Sequence, residues 1–364
     1  MPNQREVLFV GAGLSAAFGF ATTNQILPII LRRAKSGELF ARALETEAAS
    51  LREEFETLLH GFLPGILSVS LEEPPTVTDI LSLLDHLILS DLSAAPEVTA
   101  DHLARLRSLF ELAICELLSL SIDADLERQT LNMRDALSDW VVNNGIAGVP
   151  VTIITTNYDF VLEDAICRHL RFRHIPLERS MDYGLTWRSP FTGELQHRPT
   201  KPIVKFVRLH GGVNWLRCRM CQFTYINQRG PIFHQSDRAY DDSGNTCHCA
   251  ARRLQRVIVA PSFVRNVQDS DLHTIWKAAL EELRLGSHWR ILGYSLPNED
   301  VAIRSIFIRA LRGRREAPVV QVYERNADLE ERFRLLFGSV CFSAKGVEDF
   351  ISRLPADPSH ANTA

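Results

Sequence analysis

The sequence has no run of eighteen or more uncharged apolar residues, which excludes a hydrophobic helix of membrane-spanning length. Neither sign of charge dominates: 40 Lys and Arg stand against 44 Asp and Glu, a net charge of -4, so no overall field draws in a polyanion. Cysteine is too sparse for a disulfide framework. Seven in 364 residues, an odd number, read as reduced thiols, some available to hold a metal. The first apolar run begins at Val7, which leaves no room for a signal peptide. These absences together predict a cytoplasmic protein with no membrane contact. Direct nucleic-acid binding is not expected either, because the densest basic cluster, Arg312, Arg314 and Arg315, reads as a solvated helix end that complements the helix dipole. No internal repeat is present.

What the sequence does hold is a 46% hydrophobic content, enough for a sizeable core in one large domain or two ordinary ones. The organising stretch is Val7-Leu8-Phe9-Val10-Gly11-Ala12-Gly13-Leu14-Ser15. Four apolar residues predict a buried strand, two glycines allow a sharp turn and close approach of a ligand, and Ser15 is placed to cap the following helix. Amides at that helix start would attract an anion, most often a phosphate. Thr22 to Arg33 reads as a loop leading into a helix, with Pro28 near its start.

From about Glu38 to Trp140 the spacing of apolar residues is helical almost throughout, over 43–63, 78–89 with a cap at Thr76 or Thr78, and 101–120. A sheet resumes at Val151-Thr152-Ile153-Ile154-Thr155. Further apolar runs at 203–209, 257–260, 289–292, 319–323 and 340–342 alternate with helical patterns at 271–285, 298–312 and 327–337. Such alternation predicts an α/β fold with a mostly parallel sheet and helices on both faces. The implied organisation is a sheet domain over 1–37 and 146–354, a helical insertion at 38–145, a cysteine-rich module at 216–253 and a disordered tail at 355–364.

In parallel sheets, ligands bind beyond the carboxyl ends of the strands. Here those ends read Gly11-Ala12-Gly13-Leu14-Ser15, Thr155-Thr156-Asn157-Tyr158-Asp159, Leu209-His210-Gly211-Gly212, Gly293-Tyr294-Ser295-Leu296-Pro297 and Glu324-Arg325-Asn326. Singly, each has a structural explanation: Asn157 and Asp159 as helix caps, His210 as a satisfied buried histidine, Ser295 as a turn residue. Five such endings on one edge make a nucleotide cleft the better joint account.

This ordered set of motifs resembles that of the sirtuins and the sirtuin-like NAD-consuming proteins. The resemblance covers the sheet-forming parts of the chain and implies a Rossmann-like NAD-binding domain. It places Gly11, Ala12, Gly13 and Ser15 around the phosphates, Asn157 and Asp159 at the nicotinamide ribose, and His210 as catalytic histidine. Gly293 and Ser295 match the family's Gly-x-Ser position near the phosphates, and Asn326 its asparagine near the adenosine ribose. The chain departs from the protein deacylases of the family. Phe18-Gly19-Phe20-Ala21-Thr22-Thr23-Asn24 lacks their Asp and Arg, Tyr158 replaces an aliphatic residue, and Pro261-Ser262-Phe263 stands where a Phe-Gly-Glu substrate segment is expected. In these departures it resembles the sirtuin-like proteins of bacterial antiphage systems, which hydrolyse NAD to nicotinamide and ADP-ribose. That resemblance implies control by homo-oligomerisation or by an Argonaute-like or helicase-type ATPase partner. The alternatives are an NAD-dependent protein deacylase or ADP-ribosyltransferase, and a non-catalytic NAD- or ADP-ribose-sensing module.

Cys218-Arg219-Met220-Cys221 and Cys247-His248-Cys249 supply two close thiol pairs that can close a tetrahedral zinc site, with His248 as a substitute ligand. Sirtuins often carry a structural zinc module at this place in the chain. Cys115, Cys167 and Cys341 fall in apolar patterns and are expected to be buried packing residues.

Overall fold

Glu6–Val10 (β1) becomes the middle strand of a sheet because it is apolar on both faces: Val7, Leu8, Phe9 and Val10 are all fully buried. The computed structural model describes residues 5–41, 45–66, 75–90, 98–119, 124–218, 220–232, 247–249, 254–259, 270–298, 300–312 and 314–355. Pro261-Ser262-Phe263, most of the 216–253 module's loop and the tail beyond 355 lie outside them.

In chain order the other strands are β2 (Val151–Thr155), β3 (Met181–Asp182), β4 (Trp187–Arg188), β5 (Leu195–Gln196), β6 (Val204–Arg208), β7 (Gly211–Cys218), β8 (Thr224–Ile226), β9 (Leu254–Ile258), β10 (His288–Leu292), β11 (Val319–Tyr323) and β12 (Cys341–Ser343). The helices are α1 (Ala12–Ala17), α2 (Thr23–Lys35), α3 (Glu45–Phe62), α4 (Val77–Leu89), α5 (Ala100–Ser119), α6 (Ala124–Ile146), α7 (Val161–Phe172), α8 (Leu177–Ser180), α9 (Ser270–Leu285), α10 (Val301–Leu311), α11 (Glu330–Phe337) and α12 (Val347–Ser352).

Seven strands form one sheet in the order β12-β11-β10-β1-β2-β6-β3, and every pair in it is parallel. Leaving aside the two-residue edge strand β3, this is the 3-2-1-4-5-6 order of doubly wound dinucleotide-binding sheets, whose direction of winding reverses beside β1. The register sets the strand ends level. Arg208, Thr155, Val10, Leu292 and Tyr323 lie in one row across β6, β2, β1, β10 and β11, so the segments that follow all emerge at the same edge.

The mostly parallel α/β sheet is therefore as expected, but one strand is not in it. Val257 and Ile258, the start of the run at 257–260, belong to a second sheet, β5-β4-β8-β7-β9, in which β9 pairs antiparallel with β7. Periodicity reports apolar faces and not the partner, which here is supplied by the β6-to-β7 turn. Gly211 carries φ +73, and a Cβ there would lie 1.9 Å from the Val257 carbonyl oxygen; only glycine lets β7 and β9 approach so closely.

Helices α2 to α5 form a separate apolar core around Phe40, Phe55, Leu59, Leu106 and Phe110, seated on Phe160, Val213 and Ile258. Helix α6, from the same helical stretch, instead buries Leu137, Val141 and Val142 in the core of the parallel sheet. Helix α4 starts at the expected cap: the Thr76 hydroxyl accepts from the Asp79 amide at 3.1 Å, and the Asp79 carboxylate accepts from the Thr76 amide at 2.8 Å, a reciprocal pairing. Helix α2 starts earlier than expected. Its first turn is held by Gln25, whose Oε1 accepts from the Thr22 amide at 2.9 Å, so Pro28 falls inside the helix.

Among the described residues no helix is long and apolar enough to cross a membrane. Arg314 is not a freely solvated cation at the end of its own helix. It donates to the carbonyls of Leu283 and Gly286, both at 2.7 Å, and so closes the C-terminus of α9. Cys115 and Cys167 are buried as expected, but Cys341 is exposed: it lies on β12, the edge strand, which has a strand neighbour on one side.

Candidate functional site

The turn after β1 and the turn after β10 are built against each other. The Gly11 amide donates to Leu292 O at 3.0 Å and the Gly13 amide to Gly293 O at 2.7 Å. Gly293 has φ +58, and a Cβ there would lie 2.4 Å from the Leu14 nitrogen. Two backbones thus touch where the sheet changes winding direction. Replacing Gly293 by Ala combines a left-handed backbone with a clash against main chain, so the expected cost is about 3 kcal/mol, read as a lowered urea midpoint. A midpoint equal to wild type would show that the turn can relax. The packing also uses up donors: the Leu14 amide is turned to Gly11 O at 3.1 Å. Fewer α1 amides are left for an anion than the glycine motif alone promises.

Ser15 lies inside α1 and does not cap it; the cap residue is Gly11, with no side-chain bond. The Ser15 hydroxyl instead donates to Asp159 Oδ2 at 2.7 Å and accepts from Asn157 Nδ2 at 2.9 Å. Asn157 Nδ2 also donates to Gly11 O at 2.9 Å. A carbonyl can only accept, so this bond fixes which way the amide points. Both Nδ2 hydrogens face the glycine turn, and Oδ1 is the side-chain atom left to meet a ligand. Asp159 Oδ1 accepts from the Val161 amide at 3.0 Å, which ties the loop to the start of α7.

His210 occupies the joint where the chain leaves the parallel sheet at β6 and enters the second sheet at β7. It is buried, between the rings of Tyr158 (centroids 6.2 Å apart) and Trp276 (6.4 Å). Trp276 donates from Nε1 to Leu209 O at 3.1 Å, and the Tyr158 hydroxyl to Val259 O at 2.6 Å.

These residues face one cavity of about 300 Å³, at the lower end of the range for small-molecule sites. Ala12, Gly13, Ser15, Asn157, Asp159, His210, Gly293 and Ser295 all line it. Gly11 supports it from behind. Asn326 is not among the residues lining it: its Oδ1 accepts from the Asp328 amide at 3.0 Å, and Glu324, two residues earlier, takes the position at the cavity.

Several lining residues were not singled out in the sequence. Thr22, Thr23 and Asn24 bring the N-terminus of the thirteen-residue α2 to the cavity, a source of partial positive charge. Ile26, Thr78 and Leu118 roof it from the helical core. Asp300, whose Oδ2 accepts from the Tyr294 hydroxyl at 2.8 Å, completes the far side.

Behind the Asn157–Asp159 loop lies a buried ion pair with no motif to announce it. Arg208 Nε and Nη2 donate to Glu163 Oε2 at 3.0 and 2.8 Å. Nη1 donates to Asn157 O at 2.8 Å and Nη2 to Asp159 O at 2.7 Å. Glu163 Oε1 accepts from the Tyr183 hydroxyl at 2.7 Å and Asn214 Nδ2 at 3.0 Å. Burial, then the charge of Glu163, holds the Tyr183 phenol well above its ordinary pKa, so it stays a donor.

The Sγ atoms of Cys218, Cys221, Cys247 and Cys249 lie within 4.8 Å of one another. Cys218–Cys249 and Cys221–Cys247 stand at 3.5 and 3.3 Å, close to the ~3.8 Å separation that four 2.3 Å Zn–S bonds give in a tetrahedron. The four thiols fit a structural zinc ion. The Met220 amide donates to Cys218 Sγ at 3.3 Å and the Tyr225 hydroxyl to Cys247 Sγ at 3.2 Å, the outer donors such a site uses. His248 is not in the cluster; its Nδ1 lies 3.3 Å from the Tyr225 hydroxyl. Burial pushes the Cys247 thiol up to about 12, so without metal it is protonated at neutral pH. Metal analysis is expected to find about one zinc per chain, worth about 4 kcal/mol of stability when free zinc exceeds its Kd a thousandfold. Cys247→Ser should lose both the metal and the chelator-sensitive part of the melting temperature. Full thermal stability of a metal-free chain would refute a structural role.

No protein-family model matches the chain, and no curated protein does. Among solved structures it is similar to a Sir2–p53 peptide–NAD+ complex, at 12% identity and TM-score 0.43, over 96% of this chain and 91% of the other. It is also similar to a Sir2 homologue–NAD complex, at 11% identity and TM-score 0.42, over 96% and 87%.

Proposed function

We propose that the chain is an NAD glycohydrolase, releasing nicotinamide and ADP-ribose. The observation that carries the reading is that Asn157 and His210, from different strands, line one cavity with Gly13 and Gly293 at the switch point of the sheet. From β6 to β11 the cleft crosses four strand spacings, ~19 Å, a span suited to two linked nucleosides. The nicotinamide end is assigned to Asn157 and His210. The pyrophosphate falls to the central turns, the α2 N-terminus and Ser295.

In hydrolysis the bond from ribose C1′ to the pyridinium nitrogen breaks and its electron pair goes to nicotinamide. Water oxygen bonds to C1′, and the water proton passes to His210 as base. Positive charge grows on the ribose as the bond breaks. The described residues lining the cavity include Asp159, Asp300 and Glu324 but no Lys or Arg, a field that favours such charge. Asn157 Oδ1 is left to accept from the water or from a ribose hydroxyl, while Asp159, held by Ser15 and the Val161 amide, fixes the loop.

The reading extends to an NAD-depleting effector of bacterial antiphage defence, acting in the cytoplasm and restrained by homo-oligomerisation or by an Argonaute-like or helicase-type ATPase partner. The test is to incubate the purified chain with NAD, with and without acetylated peptide, and to measure nicotinamide. Release without peptide is the expected result. Release only with peptide would make it a deacylase, and NAD binding with no turnover, unchanged by candidate activators, would make it a sensing module.

A further inference from the structure

The electrostatics of the cavity carry a second consequence, at its β10–β11 side. If the nicotinamide end lies by β2 and β6, as the proposed function has it, the adenosine ribose lies across the switch point, where Glu324 follows β11. Glu324 is half-buried and lines the cavity. Its Oε1 accepts from the Asn326 amide at 3.3 Å, which holds the carboxylate in place. Asp300, 3% exposed, stands on the same side with Tyr294. A dinucleotide site that takes a 2′-phosphate keeps an arginine close by, whereas one that takes a free ribose presents a carboxylate to the hydroxyl. The cation adjacent in sequence is Arg325, and it is paired with Glu348 outside the cavity. No described lining residue is Lys or Arg.

We infer that Glu324 is the specificity-determining residue of this site: its carboxylate accepts from the adenosine 2′-hydroxyl and excludes dinucleotides that carry a 2′-phosphate. The substrate class is thereby narrowed to unphosphorylated adenine dinucleotides. A phosphate placed there would face the carboxylates of Glu324 and Asp300 with no lysine or arginine among the described lining residues to offset it.

The experiment compares NAD with NADP as substrates, and ADP-ribose with its 2′-phosphate as calorimetric ligands, for wild type, Glu324→Gln and Glu324→Ser. Wild type is expected to prefer the unphosphorylated member at least a hundredfold. Both variants should weaken NAD several-fold and improve NADP, cutting the preference about tenfold or more. Two substitutions, checked by melting temperature, separate loss of selectivity from loss of fold. If wild type binds both ADP-ribose forms alike, or if the preference stays within twofold of wild type in folded variants, the role of Glu324 is refuted while the dinucleotide reading stands. If wild type binds neither, the dinucleotide reading falls and this inference with it.

Discussion

His210→Ala and Asn157→Ala are each expected to lower nicotinamide release by two to four orders of magnitude while leaving the chain folded. The size follows from what each group supplies. A positioned base contributes about 10²–10⁴ in rate, and His210 is the one histidine among the described residues lining the cavity. Asn157 supplies a fixed acceptor. Because its Nδ2 hydrogens are committed to Gly11 O and Ser15 Oγ, Asn157→Asp is an informative companion. A carboxylate oxygen would then face the Gly11 carbonyl, with Ser15 Oγ already donating to Asp159. The isosteric change should therefore cost nearly as much as Asn157→Ala. The measurement is the rate of nicotinamide release at saturating NAD beside a melting curve for each variant. Wild-type rates in both alanine variants would leave the cavity as a binding site and no more.

The cavity could be found from sequence because its parts stand where chain direction fixes them. Once β1, β2, β6 and β10 are read as parallel strands, the residues after Val10, Thr155, Arg208 and Leu292 must share an edge, and a glycine or polar residue there is exposed to the cleft by topology. What failed to be legible was decided by contacts between distant residues. Ser15 looks like a cap when only its helix is considered; its partners, Asp159 and Asn157, are more than 140 positions away. Asn326 looked like a site residue by motif, yet β11 ends at Tyr323, so the first residue past the strand is Glu324 and Asn326 has already turned to cap the next helical turn. The apolar run at 257–260 carried no mark of which sheet it would join, since apolar alternation records burial and not pairing. Arg208 is the sharpest case. An arginine at a strand end reads as solvated, and only Glu163, on α7, turns it into a buried residue.

That pair underlies the second large effect. Arg208 and Glu163 have side-chain exposures of 1% and 0%, so Arg208→Met is expected to destabilise the chain by about 3–5 kcal/mol. It strips the Glu163 carboxylate of its counter-charge and leaves the carbonyls of Asn157 and Asp159 without donors. Urea midpoints measure this directly. Glu163→Gln should also be costly, because Gln keeps an acceptor for Tyr183 and Asn214 but turns an amide NH₂ toward the Arg208 guanidinium and leaves that charge uncompensated. If the cost of Arg208→Met is the uncompensated charge, Arg208→Met combined with Glu163→Gln should recover part of it, and the double-mutant cycle reports how much. Arg208→Lys separates fold from positioning. Lysine keeps the charge but cannot hold one carboxylate and two carbonyls with a planar fork. The folded Lys variant should lose about tenfold in kcat with little change in KM, since the loop that aims Asn157 loses its grip while the rest of the cavity is untouched. An Arg208→Met chain within 1 kcal/mol of wild type would mean that the loop is held by its other bonds, among them those of Ser15, the Val161 amide and the Tyr158 hydroxyl.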